Sequence, residues 1–180
     1  MRGYACRLVL LFLAGTVTSC APSQGTPTAG PHGPDDKNSC VVMSGGKAIL
    51  RLTLPPGAQP FDKDGLLTVV DAKGYFRFYL WTVNNAPTID EAAPRIPEII
   101  KGEFLEFKLT GTKELTVADA AAKQFAGSGK EADDGDPGNA EVVLFTVGSH
   151  VFAACIHGEG APSAVARNFM MAAIQTARAP

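Results

Sequence analysis

The stretch YFRFYLWTV, residues 75–83, decides the fold class. In an extended chain successive side chains point to opposite faces, so Tyr75, Tyr79, Trp81 and Val83 share one face and Phe76, Phe78 and Leu80 the other. Both faces are apolar, and a strand of that kind must be covered on both sides. Immediately upstream, Asp71-Ala72-Lys73-Gly74 has the composition of a tight turn, with glycine where a positive φ is wanted, and Leu66 to Asp71 supplies the other arm. The pattern predicts a hairpin, 66–71 with 75–83, buried inside a layered domain.

Working outward, Glu141 to Val147 repeats the two-faced pattern, with Val143, Phe145 and Val147 opposite Val142 and Leu144. Val151 to Ile156 does so again, and Gly148-Ser149-His150 between them predicts a second hairpin. Leu50, Leu52 and Leu54 alternate with Arg51 and Thr53 as a half-buried strand stopped by Pro55-Pro56-Gly57. Leu105, Phe107 and Leu109 alternate with Glu106 and Lys108 over 104–109, followed by short apolar segments at 115–117 and 121–126. The acidic run Ala132 to Asn139 is expected as a solvated turn into Glu141.

Helices are expected to supply the cover. Thr88-Ile89-Asp90-Glu91 has capping-box spacing and opens a segment towards Lys101 and Gly102, with Pro94 and Pro97 placed to kink or split it. Ser163 to Ala177 contains no internal glycine or proline and puts Val165, Phe169 and Ala173 on one stripe with Met170 and Ile174 beside it. Strands with few βαβ units and a closing helix predict an α+β fold: a mainly antiparallel sheet with helices packed on both faces.

That order resembles the α/β/α sandwich of the PsbP-like superfamily, which includes an extrinsic photosystem subunit and bacterial lipoproteins. The residues carrying it are the strand ending at Gly57, the aromatic arm 75–83, the helix after Thr88, the strand pair 141–156 and the closing helix at 169–176. The resemblance covers most of residues 48–177, is one of element order, and brings no site residue with it. It implies a non-catalytic module that binds or assembles other proteins.

The N-terminus addresses location. Arg2 and Arg7 precede an apolar run, Leu8 to Val17, of signal-peptide length and too short to span a bilayer. It ends in Val17-Thr18-Ser19-Cys20, which resembles the lipobox of bacterial lipoproteins. Residues 1–19 are thus expected to be a signal peptide and Cys20 the lipidated first residue of the mature chain, which carries diacylglycerol and palmitate-type acyl chains. More than one chain gives stable anchoring at about 0.8 kcal/mol per buried methylene. Ala21 follows the cysteine, which favours the outer membrane, facing the periplasm, in a cell that has one. Residues 20–39, with four prolines and no aromatic, are expected to form a disordered tether that includes His32, and 40–180 a single globular domain.

Composition narrows the function classes. A hydrophobic fraction of 46% with 19% charged residues is that of a globular chain. The net charge of −2 becomes −4 once Arg2 and Arg7 are removed, which leaves no basic surface for nucleic acid. Cys6 leaves with the signal and Cys20 takes lipid, so Cys40 and Cys155 remain as an even pair in an oxidising compartment. A disulfide between them would close a long loop and contribute about 4 to 5 kcal/mol. The competing possibility is a soft-metal site on Cys155 and His157, completed by Cys40 or Glu159, although C-x-H alone is a weak signal.

The remaining motifs fail on their chemistry. Asp133, Asp134, Asp136, Asn139 and Glu141 lack EF-hand spacing. Gly127-Ser128-Gly129-Lys130 resembles the end of a P-loop, but Gln124 stands where the first glycine belongs and Glu131 where Ser or Thr must hold magnesium. Ser149-His150 lacks a nucleophile elbow. Tyr75, Tyr79 and Trp81 could line a pocket, with core packing the plainer role. The sequence thus predicts a lipid-anchored envelope protein, neither enzyme nor metal or cofactor carrier, that binds an envelope protein partner. Small-ligand or metal binding is the alternative.

Overall fold

The computed structural model describes residues 38–63 and 66–180. The expected signal peptide (1–19), the expected lipidation site at Cys20 and all but the last two residues of the expected tether (20–39) lie outside the described residues. Strands carry the fold: β1 (Ser39–Ser44), β2 (Lys47–Thr53), β3 (Gln59–Lys63), β4 (Leu66–Val70), β5 (Arg77–Val83), β6 (Phe104–Val117), β7 (Ala120–Glu131), β8 (Pro137–Val147) and β9 (His150–Gly158). β1 and β2 form a separate ribbon, and the other seven make one sheet in the order β3-β4-β5-β9-β8-β7-β6. Every neighbouring pair is antiparallel.

Both expected hairpins form. β4 pairs with β5 through the 71–74 turn, where Asp71 Oδ1 accepts from Phe76 N at 2.6 Å and Gly74 takes φ +75. β8 pairs with β9 across Gly148 and Ser149. The two-faced strands are buried on both sides, as their pattern requires. Leu50, Leu52, Phe78, Leu80, Phe145, Phe152, Ile156 and Met170 belong to the core on one face. Tyr79, Ala92, Ile96, Ile100, Phe104, Phe107, Phe125, Val142, Leu144 and Cys155 belong to the core on the other.

The expected α/β/α sandwich, and the PsbP-like architecture with it, is not what forms. More than half of the described residues lie in strands, and helix is scarce. The segment after Thr88 is broken into α1 (Ile89–Ala92), a 3₁₀ turn (Ala93–Arg95) and α2 (Ile96–Ile99), because Pro94 and Pro97 each remove a backbone donor. α3 (Ala164–Ile174), capped by Ser163, which accepts from Ala166 N, shares its face of the sheet with the β1–β2 ribbon. Its buried side is Met170, Ala173 and Ile174, with Phe169 edge-on to Phe78, while Val165 is exposed.

Cover on the opposite face comes partly from the sheet itself. The expected strands at 104–109 and 115–117 are one long strand, β6, with register shifts between Leu105 and Lys108 and between Leu109 and Gly111. Glu106 adopts φ +55 at the first of them. The bulge breaks the expected alternation, so Phe104 and Phe107 are buried while Leu105 and Leu109 are exposed. Phe107 reaches over β7 where Gly127 has no side chain: a Cβ there would lie 2.4 Å from Phe107 Cζ and 2.6 Å from the Lys108 carbonyl oxygen. At Gly129 a Cβ would meet the Leu105 carbonyl oxygen at 2.9 Å. The glycines that resemble a P-loop are thus a notch in the middle of a strand.

On the α3 face, Glu141 is the buried polar side chain among the described residues. Arg167 holds it with two donors, Nε at 2.6 Å from Oε2 and an Nη on Oε1, and Gln124 Nε2 donates to Oε2 at 2.5 Å. The Glu141 carboxylate in turn raises the Arg167 guanidinium pKa above its ordinary value, against a smaller opposing effect of burial.

Two stability outcomes are expected. Gly127→Ala should lower unfolding free energy by about 2 to 3 kcal/mol, because the new methyl meets backbone as well as the Phe107 ring. Arg167→Met should cost about 1 to 3 kcal/mol, since Arg167 is partly exposed, and adding Glu141→Gln should recover part of the loss by removing the stranded charge. Urea unfolding of the single and double variants measures both.

Candidate functional site

β5 adjoins β9 while β6 lies at the far edge, so residues 84–103 must cross β9, β8 and β7 on one face of the sheet. Ala92, Ile96 and Ile100 bury themselves along that path. The crossing delivers Glu103 to the end of the sheet where β5 begins and where β7 and β9 finish. A cleft of about 370 Å³ opens there, lined by Tyr75, Arg77 and Tyr79 from β5 and its turn, Glu103, Glu131 and Asp133, and His157, Glu159 and Ala166.

His157 is the centre of the cleft. Cys155 and His157 lie two apart on β9 and face the same side, where Tyr79 is the cross-strand partner of Cys155. The imidazole stacks on the Tyr79 ring at 5.3 Å between centroids and takes the Phe104 ring edge-on at 5.2 Å. Its Nε2 lies 3.5 Å from Glu103 Oε2 and its Nδ1 3.5 Å from Glu131 Oε1, and all three side chains are less than a fifth exposed. Those separations are long for hydrogen bonds, neither buried ring nitrogen has a hydrogen-bond partner among the described residues, and the contacts become ion pairs when the ring is protonated.

The electrostatics follow from this packing. Burial alone would lower the His157 pKa, but the Glu103 and Glu131 carboxylates overcome it and the net shift is upward from 6.5. Burial and then the Glu103 charge push the Tyr79 hydroxyl up to about 12. The same two causes hold Cys155 far above the ordinary thiol range, so it stays protonated, with its Sγ donating to the Ile156 carbonyl at 3.8 Å. A buried, protonated thiol is a poor metal ligand and a poor nucleophile.

The structure redistributes the residues singled out from sequence. Cys40 packs against the core on the α3 face and Cys155 sits in the core on the other, so the sheet stands between them and the expected Cys40–Cys155 disulfide is not formed. Nor does Cys155 join His157 in a metal site, since the groups against the imidazole are carboxylates and aromatic rings. Tyr75 and Tyr79 line the cleft, Tyr75 being 76% exposed at its mouth, whereas Trp81 stacks on Tyr79 at 5.8 Å and packs at the margin of the core. Glu131, Asp133 and Asp134 bring carboxylate oxygens within 4.8 Å of one another at the rim, and Asp134 Oδ1 is already used by Asp136 N in the turn.

Glu103 and Glu131 are the site residues that sequence patterning misses. Glu131 carries a faint signal, because it lies on the same strand face as Gly127 and Gly129. Glu103 carries none, as its position depends on the crossing.

No family model matches the chain, and no curated protein does. Among solved structures, the chain is similar to a protein from Bacteroides thetaiotaomicron at 12% identity and a TM-score of 0.49, over 73% of this chain and 45% of that one. It is also similar to LpqN, involved in cell envelope biogenesis of Mycobacterium tuberculosis, at 12% identity and a TM-score of 0.45, over 73% and 83% of the two chains. A third likeness is to PA94 of Pseudomonas aeruginosa, a protein of unknown function, at 16% identity and a TM-score of 0.39, over 69% and 85%. The chain thus spans less than half of the first of these and most of the other two. At such scores the likenesses carry neither a family nor a function to this chain.

The raised pKa of His157 fixes the sign of a pH dependence. A group whose pKa is higher folded than unfolded stabilises the fold fully below its unfolded pKa, and the contribution is lost as pH rises through the folded value. Melting temperature should therefore fall as pH rises from about 6 through the raised His157 value, and His157→Gln should flatten that slope. Thermal melts across this range in buffers of constant ionic strength measure it.

Proposed function

We propose that this chain is a lipid-anchored, non-catalytic binding protein of the cell envelope, held to the membrane through Cys20 and recognising a partner through the cleft around His157. The observation that carries the recognition role is the cleft itself. It is concave, floored by an imidazole between two carboxylates and walled by tyrosines, one of them exposed at the mouth. Tyrosine joins an apolar ring to a polar hydroxyl and is enriched at interfaces, and concave sites with a few convergent polar groups are where ligands bind.

Support for a binding role over a catalytic one comes from what faces the imidazole. Each of its two nitrogens faces a carboxylate, Glu103 or Glu131, and the thiol two residues away is buried and protonated. Support for the anchor comes from Val17-Thr18-Ser19-Cys20. The address that follows is the outer membrane, facing the periplasm, in a cell that has one, and the partner is an envelope protein.

The test is affinity co-purification from detergent-solubilised envelopes with the native chain, a Cys20→Ser form and a Tyr75→Ala form. Palmitate labelling should be present in the native chain and absent from Cys20→Ser. A partner should be recovered with the native chain and markedly depleted with Tyr75→Ala. Equal recovery with Tyr75→Ala would remove the cleft from the interaction, and an unlabelled native chain would remove the anchor.

A further inference from the structure

We propose that the cleft recognises a cationic group, an ammonium or guanidinium on a flexible chain, which replaces the proton of His157 as the counter-charge to Glu103 and Glu131. This deepens the reading of the cleft as a recognition site and rests on it.

Charge gives the sign of the ligand. Glu103, Glu131, Asp133 and Glu159 line the cleft against Arg77 alone among the permanent cations. Glu103 and Glu131 are the two that are largely buried, and desolvated carboxylates require compensation. When His157 is protonated it supplies one positive charge to both. When it is neutral, two carboxylates face each other across an uncharged ring.

Geometry gives the ligand's shape. The imidazole holds its carboxylates at 3.5 Å without a hydrogen bond to either, so an ammonium or guanidinium with several N–H donors can satisfy what the ring leaves unmet. A neutral His157 adds a ring nitrogen as a further acceptor. The volume of about 370 Å³ admits a chain of several heavy atoms and not merely a bare ion. The open face of the exposed Tyr75 at the mouth favours a cation over a neutral group.

Proton and ligand then compete for the same two carboxylates, and binding releases a proton wherever His157 is protonated in the free cleft. The groups facing His157 are Glu103 ahead of β6, Glu131 at the end of β7 and Tyr79 on β5. Arg77 on β5, Asp133 in the β7–β8 turn, Glu159 after β9 and Cys155 on β9 complete the surroundings. Of these, histidine is the side chain whose ordinary range lies between about pH 5 and 8, so it governs the pH dependence there.

The ammonium could belong to a free amine or to a lysine side chain of a partner polypeptide, and the probes separate the two. The full chain carrying Cys20→Ser is titrated with 1,5-diaminopentane and with the peptide acetyl-Gly-Gly-Lys-Gly-Gly-amide, whose single cation is the lysine side chain. Glutarate and 1,5-pentanediol serve as anionic and neutral comparators. The His157 ring ¹⁵N signals report occupancy, and calorimetry in buffers of different ionisation enthalpy reports protons. Diamine or lysine peptide should shift the His157 signals and release protons, with affinity rising at least about fivefold between about pH 5.5 and 8. The stronger of the two identifies the source. Glu131→Gln, and independently Glu103→Gln should either variant fail to fold, should weaken binding about tenfold, while His157→Gln should bind with an affinity that no longer depends on pH. Binding of glutarate or pentanediol at His157 with the cations silent would overturn the cationic assignment and leave the cleft as a recognition site. Cation binding to the native cleft without pH dependence would overturn proton displacement. A His157 signal unmoved by every probe would remove both the assignment and the cleft's role.

Discussion

Phe107 and Phe104 lie over β7 and β8 at a distance that only glycine beneath them permits, and the site depends on that approach. Gly127 and Gly129 leave the space, the bulge at Glu106 bends β6 into it, and the two rings complete the core on that face. Glu103 precedes Phe104 directly, so its carboxylate is carried to His157 by the same packing that buries the ring. At Gly138 a Cβ would meet Glu131 Oε1 at 2.7 Å and Phe104 Cε1 at 2.9 Å, which extends the notch to the second carboxylate. Packing and electrostatics are therefore one constraint here.

The two faces of the sheet treat buried charge differently. On the α3 face, Glu141 receives two donors from Arg167 and one from Gln124, a closed arrangement that ties the helix to β8 and β7. The C-terminal end of α3 is stitched in the same spirit: Gln175 bridges Ala118 N and Thr116 O at the β6–β7 turn, and Thr176 Oγ1 accepts from Thr53 N at 2.7 Å. On the other face, His157 is held between Glu103 and Glu131 without a hydrogen bond to either. A satisfied pair is a structural device, whereas a buried polar group left short of partners is an exception in a native structure that calls for its own explanation.

What the sequence revealed, and where it failed, follows from the range of the forces involved. The hairpins at 66–83 and 141–156 were legible because alternation and turn chemistry are properties of adjacent residues. So was the splitting of the segment after Thr88, since Pro94 and Pro97 act on their own backbone. Phe104 to Leu109 misled because a bulge shifts the alternation by a residue, and nothing local announces it. The Cys40–Cys155 pairing failed because a parity argument says nothing about which face of a sheet each thiol occupies. His157 was noticed, but beside the wrong partner: Cys155 is its neighbour in sequence, and Glu103 and Glu131 are its neighbours in space.

By itself, then, the sequence determined an N-terminus resembling a lipoprotein signal, strands buried on both faces, antiparallel hairpins and a closing amphipathic helix, all encoded in spacings of a few residues. The tertiary structure decided the helix-poor, sheet-dominated architecture, the separation of the two cysteines and the meeting of His157 with its carboxylates. Those outcomes depend on strand order and on the crossing from β5 to the far edge. They join residues 26 and 54 positions apart, Glu131 and Glu103 against His157, and no local periodicity records such a distance.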